Sequence, residues 1–406
     1  MRMPTALLAG IRRYRADDAA DLADFQLRTF GPDTRQVDRA RDAWLFDRNP
    51  YRSGDERDMW ICRRDDSIVG QQAAIPFVLQ VGAVDHPAAW GIDLMVADEW
   101  RMRGPGPALL TTMLAEHPIV GVVNMSDAGY ALCQGMGFTD LGIIPVYLRP
   151  LDLVRTADLG GLPGGARRVA PVAGPLLRAA DTAAVAALRA AGVRLERVDR
   201  FDERVDEVWR VATQAGDVMM ARRDAQAVAW SIDDRPDRDR MQRYYLVRRG
   251  RALGYVVLRT SSSAETHGVV VVDYLAPPRW VAPMLVAAGV DARRQGAVAM
   301  SVKTRNEAAD RYLRAAGFVR RARGADHPIR FMVYCRDDEL RSQLAERGRW
   351  YTTSADCDLE YGMAPTGEGD HAGRADDAGI APAPDGSRQP DAAHQPDEAG
   401  GAGAGG

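Results

Sequence analysis

Apolar and polar positions alternate along the chain in a way that predicts short strands interleaved with amphipathic helices. An apolar run such as Ile92-Asp93-Leu94-Met95-Val96 is typical of a buried strand, and residues 16–31 and 201–216 have helical spacing. Polar turns divide residues 60–70 and 244–254 into β-rich arms, which predicts two hairpins. Strands that alternate with helices in this manner indicate an α/β fold.

The same order of elements occurs twice in the chain. Trp44, Asp47 and Pro50 recur 186 residues later, while Asp93 and the pair Gly137-Phe138 recur 180 residues later. This shared order and spacing predicts a tandem duplication of one α/β unit, each copy being a mixed twisted sheet flanked by helices.

Changes in composition predict where the units begin and end. Residues 159–174 are rich in Gly and Pro, which indicates a linker. From Pro365 to Gly406 the only large apolar residue is Ile380, so burial there cannot offset the entropy of ordering. We therefore expect a first unit at residues 1–155, a linker at 156–175, a second unit at 176–364 and a disordered C-terminal tail at 365–406.

Composition and charge exclude several classes of protein. The 406 residues carry a formal net charge of −3, which argues against a protein that coats nucleic acid. The four cysteines form no CxxC pair, the six histidines have no ligand spacing, and Asp356-Cys357-Asp358 is interpreted as a chance DxD rather than a metal site. No apolar run has membrane-spanning length. We therefore expect a cytoplasmic protein without a bound metal, whose oligomeric state is not encoded in these patterns.

The most informative stretch is the turn Arg101-Met102-Arg103-Gly104-Pro105-Gly106, between a strand ending near Val96 and an apolar helix beginning near Pro107. Glycines before a helix let a ligand approach the backbone closely, and the first N–H groups of a helix have no partner within it. Together with the helix dipole, these donors predict a site for a pyrophosphate.

At these residues the sequence resembles the GNAT superfamily of acyl-CoA-dependent N-acyltransferases, whose signature is (Arg/Gln)-x-x-Gly-x-(Gly/Ala) after the fourth strand. Val96, Glu99, Leu109 and Leu110 also agree with that family in residue type. The helices that end in Gly137-Phe138 and Gly317-Phe318 resemble its next motif.

The resemblance implies an acetyl-CoA or other acyl-CoA site in the first unit. The backbone of the turn would bind the pyrophosphate through N–H groups of Met102, Arg103, Gly104, Gly106 and Ala108, with Arg101 opening the motif. The main chain of Leu94, Met95 and Val96 would pair with the pantetheine arm, and Asn124 would hold one of its amides. Pro105 and Pro107 remove two donors. The second unit has Val281, Met284 and Val286 in place of the motif residues, so it is expected to lack the site.

Three residues are candidates for proton transfer. Asp93 would be the general base if its position in a half-buried strand raises its pKa, but Asp273 at the equivalent place favours a structural hydrogen bond instead. The resemblance implies that a Tyr acting as general acid would stand at the position of Cys133. Tyr130 lies one helical turn earlier on about the same face. Either residue, or water, would return a proton to the leaving thiolate.

The function predicted from these features is acyl transfer, most simply acetyl transfer, from CoA to an amine by direct attack. The acceptor would be a small-molecule amine or an amino sugar. One alternative is an aminoacyl-type transferase of tandem GNAT form, and another is a non-catalytic protein that binds acyl-CoA.

Overall fold

The computed structural model describes residues 10–32, 34–158, 164–214, 218–262, 267–321, 328–359 and 361. Its backbone forms two sheets flanked by helices, so the α/β class predicted from the alternation of strands and helices is confirmed. The tail predicted at 365–406 lies outside the described residues.

The first sheet has eight strands in the spatial order β1-β2-β3-β4-β5-β15-β6, with β9 paired to the outer part of β3. Strands β4 and β5 are parallel, and the other pairs are antiparallel. The strands are β1 Ile11–Arg13, β2 Met59–Arg64, β3 Ser67–Val81, β4 Val84–Val96, β5 Ile119–Val123, β6 Thr139–Ile143, β9 Met219–Ala221 and β15 Arg330–Cys335.

The second sheet has seven strands in the order β14-β7-β13-β12-β11-β10-β8, with β12 and β13 parallel. They are β7 Val146–Pro150, β8 Val193–Val198, β10 Met241–Arg248, β11 Arg251–Ser262, β12 His267–Leu275, β13 Ala299–Lys303 and β14 Val319–Arg320.

The two sheets exchange strands. Strand β7, from the first half of the chain, lies between β13 and β14 of the second sheet, while β15, from the second half, lies between β5 and β6 of the first. Each sheet therefore needs a strand from the other half of the chain. This exchange crosses the predicted boundary at residue 155, because β15 belongs to the first sheet although it is 175 residues beyond that boundary.

Eleven helices are seen in the described part of the chain, and they cover the faces of the sheets. They are α1 Ala19–Phe30, α2 Arg39–Asp42, α3 Pro105–Glu116, α4 Asp127–Gly135, α5 Leu153–Asp158, α6 Gly164–Ala190, α7 Arg204–Thr213, α8 Ala225–Val228, α9 Pro278–Arg294, α10 Glu307–Ala315 and α11 Asp338–Leu344. A π-helical turn follows α2 at Ala43–Asp47, and another follows α8 at Ala229–Asp233.

The predicted linker is a helix over much of its length. Helix α6 begins at Gly164 and includes Pro171 and Pro175, so the segment predicted to be a linker at 156–175 is helical from residue 164 onward. Proline is tolerated in the first turn of a helix, but in the interior of a helix it is disruptive. The segment is alanine-rich around these prolines, and alanine has the highest helix propensity.

The two π-helical turns meet where the halves of the chain pack together. The Trp44 indole N–H donates to the carbonyl of Trp230 at 2.8 Å, and the Trp230 indole N–H donates to the carbonyl of Trp44 at 2.9 Å. Their rings stack with centroids 5.5 Å apart. These reciprocal contacts join two tryptophans that lie 186 residues apart and occupy the same place in the predicted repeat.

Candidate functional site

Strands β4 and β5 separate in the middle of the first sheet. Their pairing is limited to Ala89 with Val120 and Trp90 with Gly121. A Cβ on Gly121 would lie 2.4 Å from the Trp90 ring, so glycine at this position leaves room for the indole. Beyond Trp90, as far as the structure describes the chain, no strand pairs with β4 on its β5 side. The backbone of Leu94–Val96 thus forms an open edge.

A bulge lies at the start of this open edge. The register between β3 and β4 shifts between Gln71–Met95 and Ala73–Ile92, and Asp93 has a φ of +54°. The side-chain amide of Gln71 donates to the carbonyl of Asp93 at 3.2 Å, and that of Gln72 donates to the carbonyl of Ile92 at 2.9 Å. These two buried amides satisfy carbonyls where the bulge interrupts the ladder.

The carboxylate of Asp93 is already engaged on both oxygens. Gln36 donates to Oδ1 at 2.9 Å, and the guanidinium of Arg41 donates to Oδ2 at 2.8 Å. Arg41 is also bonded to Asp358, and its side chain is 1% exposed. Burial opposes its charge, but Asp93 and Asp358 together raise the pKa of Arg41 above its usual value. Asp93 is therefore one of two carboxylates that hold a buried cation.

The glycine turn begins at Arg101, five residues after the end of β4 at Val96. Met102 and Gly104 have φ values of +60° and +101°, and α3 begins at Pro105 with Gly104 as its N-cap. Glycine suits the left-handed position at 104 because it has no Cβ to clash. A Cβ on Gly106 would meet Val96 and Leu132 at an ordinary 3.7 Å, consistent with a motif that accepts Gly or Ala there.

Three of the five predicted N–H donors in the turn remain available. The N–H of Arg103 bonds the carbonyl of Trp100 at 3.2 Å, and that of Ala108 bonds the carbonyl of Gly104 at 3.2 Å. Those bonds are internal to the turn and the helix. Among the backbone bonds of the described chain, none uses the N–H of Met102, Gly104 or Gly106. The donor set for an anion is therefore smaller than the sequence predicts.

Arginines surround this turn. The guanidinium groups of Arg103 and Arg64 both lie over the Trp100 ring, 5.9 Å and 6.0 Å from its centroid. Arg101 forms an ion pair with Asp98 at 2.9 Å. The side chain of Met102 is fully exposed at the tip. Positive charge beside free N–H groups at a helix start favours a negatively charged ligand.

The two predicted proton donors lie in different surroundings on α4. Cys133 is 4% exposed, and burial raises its pKa to about 12. Tyr130 is half-buried, its hydroxyl donates to Asp140 at 3.0 Å, and that hydrogen bond raises its pKa.

Asn124 is exposed at the end of β5, where its backbone N–H bonds the carbonyl of Arg330 in β15. The strand exchange thus places the backbone of Asn124.

The equivalent edge in the second sheet is occupied by the chain itself. Helix α9 begins at Pro278 without a glycine turn. The hydroxyl of Tyr351 donates to the carbonyl of Tyr274, which the repeat pairs with Leu94, and Thr352 forms a two-way backbone bridge with Arg305 just past β13. In this half a segment at residues 351 and 352 therefore covers the edge of the sheet.

The Asp356-Cys357-Asp358 run is buried between the two halves. Asp356 bonds Arg223 at 2.6 Å, Asp358 bonds Arg41 at 2.9 Å, and the two aspartates are 6% and 2% exposed. In the part of the chain described, no group of three or more His, Cys, Asp or Glu residues could hold a metal ion. The run is a pair of arginine contacts rather than a metal motif.

Sequence reasoning did not find Gln36, Arg41, Gln71, Gln72 or Asp358 as parts of the site. A signal existed for two of them, because Gln71-Gln72 is a polar pair inside the otherwise apolar strand β3. Nothing local to Arg41 or Asp358 indicates a pairing across 317 residues of sequence.

Comparisons with known proteins agree with this geometry. Residues 10–122 match the family model of the acetyltransferase (GNAT) domain. The structure resembles a GCN5-related N-acetyltransferase from Anabaena variabilis (TM-score 0.55, 14% identity, 80% of this chain and 72% of that one). It also resembles one from Kribbella flavida (TM-score 0.51, 17% identity, 80% and 70%) and a probable N-acyltransferase from Enterococcus faecalis (TM-score 0.53, 12% identity, 80% and 72%). No curated protein matches the sequence.

The family match at residues 10–122 confirms the resemblance to the GNAT superfamily stated from Arg101–Gly106. At these identities the solved structures show the fold and no more. None of the helices within the described ranges is both long and apolar enough to cross a membrane.

Proposed function

We propose that this protein is an acyl-CoA-dependent N-acyltransferase that acts on a small amine or amino sugar in its first half, with acetyl-CoA as donor. The observation that carries the proposal is the open edge of Leu94–Val96, which leads directly into the glycine turn at Gly104. An extended thioester arm needs free backbone groups along its length and an anion site at its far end. This half of the molecule has both within about ten residues.

The residues present fit such a ligand. The free N–H groups of Met102, Gly104 and Gly106 would donate to the pyrophosphate, where the dipole of α3 also favours negative charge. The open backbone of β4 would pair with the pantetheine arm as an added strand does. Asn124 is exposed at the end of β5 and would supply a side-chain amide to the same arm.

For the returning proton we propose Tyr130 rather than Cys133. The thiol of Cys133 is only 4% exposed, which disfavours contact with a leaving thiolate, and burial raises its pKa to about 12. Tyr130 retains its proton at neutral pH, and its ring is only half-buried. It is therefore the better placed of the two donors.

For Asp93 the contacts support the structural alternative. A general base needs a lone pair that can reach the substrate, but the side chain of Asp93 is only 6% exposed, and its two oxygens accept from Gln36 and Arg41. We propose that Asp93 shapes the edge of β4 and that the acceptor amine loses its proton to solvent.

The proposal is tested by incubating the full chain with acetyl-CoA and a broad panel of amines and amino sugars while measuring release of the CoA thiol. Release with at least one acceptor, together with an acetylated product by mass spectrometry, supports the transferase. Binding of acetyl-CoA without turnover on any acceptor would instead favour a non-catalytic acyl-CoA-binding protein. No binding at all would contradict both.

A further inference from the structure

One short segment near the end of the described chain contacts both halves of the molecule. We define the crossing segment as residues 351–359 together with 361. Tyr351 covers the edge of β12, and Tyr361 stacks on Trp44 with ring centroids 5.7 Å apart. The segment therefore runs from the occupied edge of the second sheet to the side of the first sheet that carries α2.

In the second sheet, the crossing segment holds the aspartate of β12 through an arginine. Arg223 bonds Asp273 at 3.2 Å and Asp356 at 2.6 Å, and both carboxylates are buried. Thr353 donates to Asp273 at 2.7 Å. This contact fixes an edge that has no glycine turn.

In the first sheet, the same segment makes the matching contact two residues later. Arg41 bonds Asp93 at 2.8 Å and Asp358 at 2.9 Å. Burial disfavours the charge on Asp358, but Arg35 and Arg41 hold its pKa well below the usual range. Asp358 is thus a charged partner whose removal leaves Arg41 buried with less compensation.

The position of Asp93 makes this contact relevant to the site. Its backbone adopts a φ of +54° at the bulge, immediately before the open edge of Leu94–Val96. A non-glycine residue stays in that conformation only when its surroundings hold it there. The side chain of Asp93 is held by Arg41, and Arg41 is held in turn by Asp358.

We propose that Asp358 is a positioning residue for the acyl-CoA edge, acting through Arg41 and Asp93, so that the crossing segment completes the site in the first half. This inference rests on the proposed acyl transfer. Asp356 makes the equivalent contact where no acyl-CoA turn exists, and it has no part in the reaction.

The test compares Asp358→Asn with the matched variant Asp356→Asn in the full chain. Asp358→Asn is expected to lower kcat by roughly 10- to 100-fold, since a misplacement of about 1 Å has effects of that size. Its Kd for acetyl-CoA is expected to change by less than about fivefold, because the N–H donors of the turn are untouched. Asp356→Asn is expected to leave kcat within about twofold of wild type.

A second readout does not depend on turnover. Amide hydrogen exchange in Asp358→Asn is expected to rise at residues 93–96 and not at 273–275, and the reverse is expected in Asp356→Asn. This crossed pattern supports the positioning role even if no acceptor is found, which separates it from failure of the proposed function. Uniform changes in both variants, or unchanged exchange at 93–96, would overturn the inference.

If Asp358→Asn does not fold, Arg41→Lys takes its place. Lysine retains the buried charge but lacks the forked guanidinium that joins two carboxylates. Arg41→Lys is expected to give the same loss of kcat as Asp358→Asn and the same rise in amide hydrogen exchange at residues 93–96. Asp358→Glu keeps the ion pair and is expected to recover most of the kcat lost in Asp358→Asn. Wild-type kcat in Arg41→Lys would overturn the inference.

Discussion

The Gly104→Ala substitution tests the anion site most sharply, because Gly104 has a φ of +101° at the start of α3. An L-residue in the left-handed region costs about 1–2 kcal/mol. This strain is expected to lower the melting temperature by a few degrees. It is also expected to make the turn relax, so that the N–H groups of Gly104 and Gly106 no longer point outward together.

The expected loss of affinity follows from those two donors. A hydrogen bond to a charged group contributes about 1.5–3 kcal/mol. Taking the lower value for each donor gives roughly 3 kcal/mol, which corresponds to an increase in Kd of at least about 100-fold. Titration calorimetry with acetyl-CoA measures this change directly.

The matched control is Gly192→Ala. Gly192 has a φ of +72° and open space around its Cβ position, so the same substitution introduces backbone strain far from the turn. Its melting temperature is expected to fall by a similar amount while the Kd for acetyl-CoA stays at the wild-type value. Affinity of Gly104→Ala within about threefold of wild type would refute the reasoning.

Three further predictions concern titratable groups. Asp93→Asn is expected to reduce turnover without recovery at higher pH, because Arg41 loses a partner; recovery between pH 8 and pH 10 would instead identify a general base. Burial raises the pKa of Asp42 from 3.8 to about 6, so this group's contribution to stability is present below pH 4 and is lost as pH rises through 6. The unfolding free energy of Asp42→Asn relative to wild type should therefore rise by about 2 kcal/mol from pH 4 to pH 7 in urea titrations, and a flat difference would contradict the prediction. Tyr130→Phe is expected to lower kcat at least about tenfold while Cys133→Ala leaves it within about threefold, and the opposite order in the thiol-release assay would show that the acid is misassigned.

The sequence predicts the local secondary structure around the candidate site well. A strand, a glycine turn and a helix follow each other at Ile92–Glu116, and each is encoded by residues next to one another in the chain. The positive φ at Gly104 and the buried face of α3 follow from the same short stretch. Local chemistry of this kind depends little on the rest of the fold.

The contacts that brace the site come from distant parts of the chain. Strand β15 is an apolar run, and its composition does not say whether it pairs with β5 or within its own half. Asp358 and Arg41 are each unremarkable in sequence, and they meet only because two halves pack together. The prolines near residue 171 indicate a break, but the surrounding alanines and the packing of α6 against α9 favour a helix. Tertiary packing determines the strand pairing, the ion pair and the helix in these three cases, because it outweighs local propensity.

The central claim is that a single acyl-CoA binds along β4 and the glycine turn of the first half. Amide hydrogen exchange of the full chain with and without acetyl-CoA tests it directly. The account predicts slower exchange at residues 94–96 and 102–108, with no change at 274–286. Equal protection in both halves, or protection confined to 274–286, would contradict it.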